Sequence, residues 1–396
     1  MVNHISTCQS RTGAFVNHSC LRQTIALSTR IAAALGLTCL LAVTSSAQPA
    51  DAAAKSAVVV GKVTSGGIPV TGAKVTLYAW PRQAVVATLK PRTPVPMRVI
   101  GSAESASNGE YVISVSNWRA VQASADGNIV NLEVIAVQGK SGGEFSFPRL
   151  LVSTSTGPAL AVDDDAAGPN MAPQQATLSL THGLPTSRHG QDPPNPPPCG
   201  QMRKVKYLGK RWVVVGLTSS KVTGVTMHFV YGKDQSSTLG VGFSVTGGKG
   251  SYKLDGHRAV TESGSAGFPF QKNKITALYK TKFTYWKFLV VCIGYKVSPT
   301  KWDAGTEIGH EGVPKATHCV GFAAGSTFAK DTTTAWTFSA GVDLGTVIGL
   351  NLSAQTGYDT TASLNYTVAN HTFLCGKNDS PGGTPGLVVA GLPSHG

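Results

Sequence analysis

A chain of 396 residues has room for two ordinary domains and a leader, and 41% apolar residues suffice for a core in each. Only 14% of residues are charged and 7% aromatic, while Gly, Thr, Ser and Val abound; this balance suits short strands and turns and argues against a mainly helical or disordered chain. The formal net charge of +14 is unevenly spread: residues 55–182 hold ten Lys and Arg against eight Asp and Glu, whereas 199–396 hold twenty against ten.

Residues 1–54 read as a signal peptide and leader. Arg22 and Arg30 precede an apolar run at 31–43, and the small residues that follow (SSAQPADAAA) offer cleavage sites between Ala47 and Ala54. The run is too short to cross a bilayer as a helix. The expectation is therefore a secreted, extracellular protein. Removing the leader removes Cys8, Cys20 and Cys39. The four cysteines left, Cys199, Cys292, Cys319 and Cys375, predict two disulfides in an oxidising compartment. Three pairings are open. The favoured one joins Cys292 to Cys319 and ties the domain ends through Cys199 and Cys375.

Residues 55–182 predict a β-sandwich. Val75, Leu77 and Ala79 alternate with Thr76, Tyr78 and Trp80. A Pro-rich, basic excursion follows (PRQAVVATLKPRTPVP), then a turn at Asn108-Gly109 and a strand with Tyr111, Ile113 and Val115 on one face. Further strands are expected at 129–137, 145–152 and 175–180. Asp163, Asp164 and Asp165 form an acidic turn; as a calcium site it lacks the regular ligand spacing. Gly61-Lys62-Val63, the run GIPVTGAKVTL at 67–77 and Gly109-Glu110-Tyr111 carry a resemblance to the carboxypeptidase regulatory-like domain, also called prealbumin-like or transthyretin-like. The resemblance spans about residues 57–152. It implies a non-catalytic sandwich, with a carbohydrate-binding-like fold, that accompanies enzymes, adhesins or receptors. The sequence departs from that pattern in its long basic excursion and in having Ala106 where an acidic residue is usual.

Residues 183–198 read as a linker, because five prolines near its end favour an extended polyproline spacer. Residues 199–396 then predict a second antiparallel β domain, basic and disulfide-bonded. Tyr279, Phe283, Tyr285, Leu289, Val291, Ile293 and Tyr295 share one parity, and residues 336–354 alternate large apolar with small polar side chains. The expected architecture is thus all-β, with two separate bodies joined by the linker.

No catalytic pattern emerges. The chain has no H-E-x-x-H and no P-loop, and Gly264-Ser265-Ala266-Gly267 lacks the spacing of a nucleophile elbow. His310, His318 and Cys319 are of metal-ligating type, but loop residues beside a disulfide are the plainer reading. No enzyme activity and no cofactor are expected. Two basic clusters carry aromatic residues: Arg203, Lys204, Lys206, Lys210 and Arg211 around Tyr207 and Trp212, and Lys272, Lys274, Lys280, Lys282 and Lys287 near Trp286. The candidate binding set is Lys280, Lys282, Trp286, Arg203, Lys204 and Lys206. Its expected partner is a cell-wall glycan, an anionic polymer or a membrane surface rather than nucleic acid. The function expected is binding or adhesion at the cell envelope. A β-pore-forming protein is the alternative, because long alternating strands also suit a transmembrane barrel; an enzyme with an unfamiliar site comes third.

Overall fold

A computed structural model describes residues 57–162, 170–182, 197–231, 236–245, 252–261, 264, 266–272, 274–313, 315, 319–331, 336–343, 351–357, 363–376 and 388–392. The leader, the acidic turn at Asp163, all but the last two residues of the linker, and His318 lie outside them. The architecture is all-β, with 67% strand and 5% helix.

The first half begins with β1 (Ala57–Ser65), β2 (Ile68–Pro69), β3 (Lys74–Ala79), β4 (Arg98–Glu104) and β5 (Glu110–Ser114). It continues with β6 (Ile129–Gln138), β7 (Ser141–Thr154), β8 (Gly157–Ala161), β9 (Gln174–Ser179) and β10 (Thr181–His182). β1 pairs antiparallel with β2 and β5 and parallel with β9. The second sheet runs β4-β3-β6-β7, with β8 and β10 on β7. Val59, Val63, Val75, Leu77, Ile113, Leu132 and Val134 are fully buried in one core cluster, as the alternation requires. Gly61 sits where β1 meets β9 most closely: a Cβ there would fall 1.8 Å from the Ala176 carbonyl oxygen. The Tyr111 hydroxyl donates to that same oxygen at 2.8 Å.

The second half holds β11 (Met202–Ser220), β12 (Val225–Tyr231), β13 (Ser236–Ser244), β14 (Lys253–Thr261), β15 (Ala266–Gly267), β16 (Thr276–Val290) and β17 (Gly294–Glu311). There follow β18 (Cys319–Phe322), β19 (Thr327–Asp331), β20 (Trp336–Asp343), β21 (Asn351–Gly357), β22 (Ser363–Val368), β23 (Thr372–Gly376) and β24 (Val388–Gly391). β11, β16 and β17 form a long antiparallel sheet, and β12 with β22, β15 and β19 forms another. Phe229, Tyr231, Tyr279, Phe283, Tyr285 and Tyr366 fill one core cluster with residues of both sheets. Two of the buried polar groups there are paired, the Tyr279 hydroxyl with Thr218 at 2.8 Å and Trp302 Nε1 with Thr281 at 2.8 Å, whereas the Tyr285 hydroxyl is buried with no hydrogen-bond partner. The parity expected along β16 holds for Tyr279, Phe283 and Tyr285. Beyond Tyr285 the even positions Phe288 and Val290 are buried as well, in a separate cluster with Trp80, Val95 and Met202, because there the first half covers the other face of the sheet.

The two halves are not the separate bodies that the linker predicts; the described residues, from Ala57 onward, cluster as one compact unit. The Pro-rich excursion is the docking element. Its backbone pairs with β11 through Arg92 N to Lys204 O, Lys204 N to Thr93 O and Val95 N to Met202 O, and Trp80, Val86 and Val95 share a buried cluster with Met202, Phe288 and Val290. A second seam joins β7 to β14 at Ser146 and Gly256. Gly256 has φ +93°, and a Cβ there would lie 2.2 Å from the Ser146 carbonyl oxygen, so only glycine fits. Asn131 exchanges hydrogen bonds with the Ala259 backbone, and Gln83 does so with Thr261.

All four cysteines are bonded, but the favoured pairing is wrong. Cys199 bonds Cys292 and Cys319 bonds Cys375. Antiparallel register places Cys319 opposite Cys375 across β18 and β23, with Cα atoms 4.0 Å apart. Backbone bonds from Gly200 N to Val291 O and Val291 N to Gln201 O bring Cys199 to the β16–β17 turn.

Candidate functional site

The long sheet has one face in the core; the other is covered by the first half at its Phe288–Val290 end, against which Trp286 packs, and is open beyond it. Along β16, Lys280, Lys282, Thr284 and Trp286 point outward between buried Tyr279, Thr281, Phe283 and Tyr285. Register brings Tyr207 of β11 opposite Trp286, Lys210 opposite Thr284 and Trp212 opposite Lys282. The Tyr207 and Trp286 ring centroids are 5.4 Å apart. The Lys282 ammonium lies 4.3 Å from the Trp212 ring centroid. A backbone irregularity in β17, where Ala304 and Gly305 have φ of 58° and 93°, brings Gly305 against the Trp212 ring. The result is a band of three partly exposed rings with lysines between them.

Two lysines on this face already have anionic partners. Lys280 contacts Glu307 at 2.8 Å, and Lys210 contacts Asp303 at 2.9 Å. Asp303 also accepts from the Thr284 hydroxyl at 3.1 Å. The hydrogen bond and charge of Asp303 raise the Lys210 pKa above its ordinary value. These exposed pairs contribute little to stability. They fix where the ammonium groups stand.

The six candidate residues are not all brought together. Lys280, Lys282 and Trp286 share the open face. Lys204 does not: its side chain is fully buried and donates to the carbonyls of Val86 at 2.8 Å and Leu89 at 2.9 Å, at the end of the short helix Gln83–Thr88. Burial lowers its pKa, with the Arg258 charge adding to the effect. Arg203 is half-buried and donates to Gln201 at 3.0 Å. Lys206 is exposed, but its register partner is Lys287, whose ammonium lies 4.0 Å from the Tyr295 ring, off the Trp286 face. Sequence reasoning leaves Trp212, Tyr207, Asp303 and Glu307 out of the set. The first two stand inside the basic clusters; the acids give no signal without the register.

Of the residues of metal-ligating type, Cys319 is used up in a disulfide and His310 faces Gln271 at 3.4 Å. Among the described residues no group of three His, Cys, Asp or Glu is placed to hold a metal, and no helix is long and apolar enough to cross a membrane. The strands whose alternation suits a membrane barrel form a hairpin, β20 with β21, which pairs through β21 to β13; its side chains lie outside the described residues. No protein-family model, curated protein or solved structure matches the chain.

Proposed function

We propose that the protein is a secreted, non-catalytic binding protein whose open β11–β16–β17 face takes an anionic cell-wall glycan. The observation that carries this reading is the band formed by Tyr207, Trp286 and Trp212 with Lys282 over the last ring. Aromatic faces stack on sugar rings, and lysines between them meet acidic substituents. The fixed spacing of a rigid sheet reduces the ordering cost of binding. Two disulfides are consistent with an exported protein. The sandwich of the first half, with its likeness to carboxypeptidase regulatory-like domains, serves in this reading as a support that closes one end of the sheet.

The test uses the mature chain with sulfated dextran and neutral dextran of equal length, titrated calorimetrically in low and high salt. Expected is binding of the sulfated polymer that weakens with salt and falls roughly tenfold in Trp212→Ala, a loss of about 1.4 kcal/mol. Equal affinity for the neutral polymer, or an unchanged Trp212→Ala, overturns the proposal. Leakage from anionic liposomes without polymer binding would favour the membrane-active alternative.

A further inference from the structure

Where the halves meet, Lys296 of β17 is enclosed by Glu133 of β6 and Glu144 of β7, and none of the three side chains is more than 1% exposed. Lys296 Nζ contacts Glu133 Oε1 and lies 3.1 Å from Glu144 Oε2. The other oxygen of Glu133, Oε2, accepts from Trp80 Nε1 at 3.0 Å and from Ser146 Oγ at 2.6 Å. Glu144 Oε1 is buried with no hydrogen-bond partner. Two carboxyls thus share one amine in a site shielded from bulk water. Burial pushes both carboxyls up. For Glu133 the Lys296 charge and the surrounding hydrogen bonds outweigh it and hold the group below its ordinary value; Glu144 stays well above its own. Of the two carboxyls, Glu144 is therefore the one whose protonated form its surroundings favour.

We propose that Lys296 and Glu133 condense to an amide, a covalent cross-link between the two halves of the chain, with Glu144 as the catalytic acid–base. The arrangement supplies each part such a step needs. The Lys296 ammonium first passes one proton to Glu133 Oε1, which leaves amine and carboxylic acid both neutral. Nζ then forms a bond to Glu133 Cδ, and the developing negative charge falls on Oε2, where Trp80 Nε1–H and Ser146 Oγ–H already point. Glu144 accepts a proton from Nζ on one oxygen and delivers its own to Oε1 from the other. The Cδ–Oε1 bond breaks, one water leaves, and Glu144 ends as it began. No oxidant and no activated donor is required.

Holding the amine against the carboxyl replaces a dilute encounter with an intramolecular one. Burial favours the product, since an ion pair withdrawn from water becomes a neutral amide and the protonated Glu144 leaves no charge behind. A cleft of about 490 Å³, lined by Glu144 and Asp255 among others, lies beside the site and gives the water a way out.

The decisive measurement is mass spectrometry of the mature wild-type protein, intact and after proteolysis. Expected is a mass one water short of that calculated with two disulfides, and one branched peptide joining Lys296 to Glu133. Glu144→Gln should keep its full mass while retaining both disulfides and the wild-type circular dichroism spectrum. A full-mass wild type, in which unfolding exposes Lys296 to an amine-acylating reagent, overturns the proposal. So does a branch at Glu144 in place of Glu133. The wild-type result stands whether or not a variant folds.

Discussion

Lys204 and Lys282 occupy paired strands of one sheet, and each ammonium lies over a tryptophan, at 3.9 Å for Trp286 and 4.3 Å for Trp212. Their surroundings are opposite. Lys204 stands at the end covered by the first half, is fully buried, and gives its protons to the carbonyls that end a helix. Lys282 stands at the open end, where a polyanion can reach it. Lys296 and Lys280 repeat the contrast. The first is enclosed by Glu133 and Glu144; the second makes a half-exposed pair with Glu307. One residue type in one sheet therefore serves assembly where the first half covers the strands, and stays at the surface where it does not. Burial, not residue type, separates the two uses.

The largest expected effect is at the covered end. Lys296→Met strands Glu133 and Glu144 in the interior and should cost about 3–5 kcal/mol, read as a lower denaturant midpoint. Lys282→Met should move that midpoint by less than about 0.5 kcal/mol. Equal losses would erase the distinction between the two ends. Lys204→Met comes next. It leaves the helix-end carbonyls of Val86 and Leu89 without their donor in a buried setting, at a cost of about 2–3 kcal/mol. A smaller loss would mean that the excursion shifts to admit water.

The third prediction concerns pH at the seam. Burial pushes the Asp255 carboxyl from 3.8 up to about 6, against the pull of Lys296. The folded protein keeps a proton that the unfolded chain gives up between those values. Stability attributable to Asp255 is therefore intact below about pH 4, declines as pH rises through the window, and stays lost above it. Glu144, also raised, acts in the same direction. Asp255→Asn should stabilise the protein by about 1–2 kcal/mol at pH 7 and by nothing near pH 4, since each tenfold change in proton affinity corresponds to about 1.4 kcal/mol. A gain that is the same at both pH values would assign the effect to packing.

Much of the strand layout is legible in the sequence, because alternation fixes which side chains meet the core. The strands expected at 129–137 and 145–152 are β6 and β7, which span Ile129–Gln138 and Ser141–Thr154. The seam is not legible. Glu133 stands alone among apolar neighbours in IVNLEVIAV, and Lys296 follows the apolar run before it in IGYKVS. A lone charge inside an otherwise buried strand signals a buried partner, but which one depends on how two distant segments fold together. The same limit explains the cysteines, since register between β18 and β23 decides the Cys319–Cys375 bond and spacing along the chain does not. In sequence the excursion at 81–96 is only a Pro-rich interruption between two strands; its role emerges only with its partner strand, β11, in place.

The smallest expected change in stability belongs to the open end, where the effect should fall on binding. Trp212 and Tyr207 lie on the solvent side of β11, and Tyr207 is 46% exposed. Tyr207→Ala removes a half-exposed ring that touches Trp286, so the midpoint should shift by less than about 1 kcal/mol. Reversing Lys282 to Glu should act more through charge. It places a carboxylate on the Trp212 ring and lowers the positive field of the face, so affinity for sulfated dextran and its salt dependence should fall together. Lys280→Glu should do less, because Glu307 already offsets that lysine and the new carboxylate would chiefly repel Glu307. The order Lys282 before Lys280, in affinity at low salt and with near-native midpoints for both, separates a ring-and-lysine site from diffuse attraction to a basic domain. Equal losses from the two reversals would indicate diffuse attraction and remove the case for a defined face.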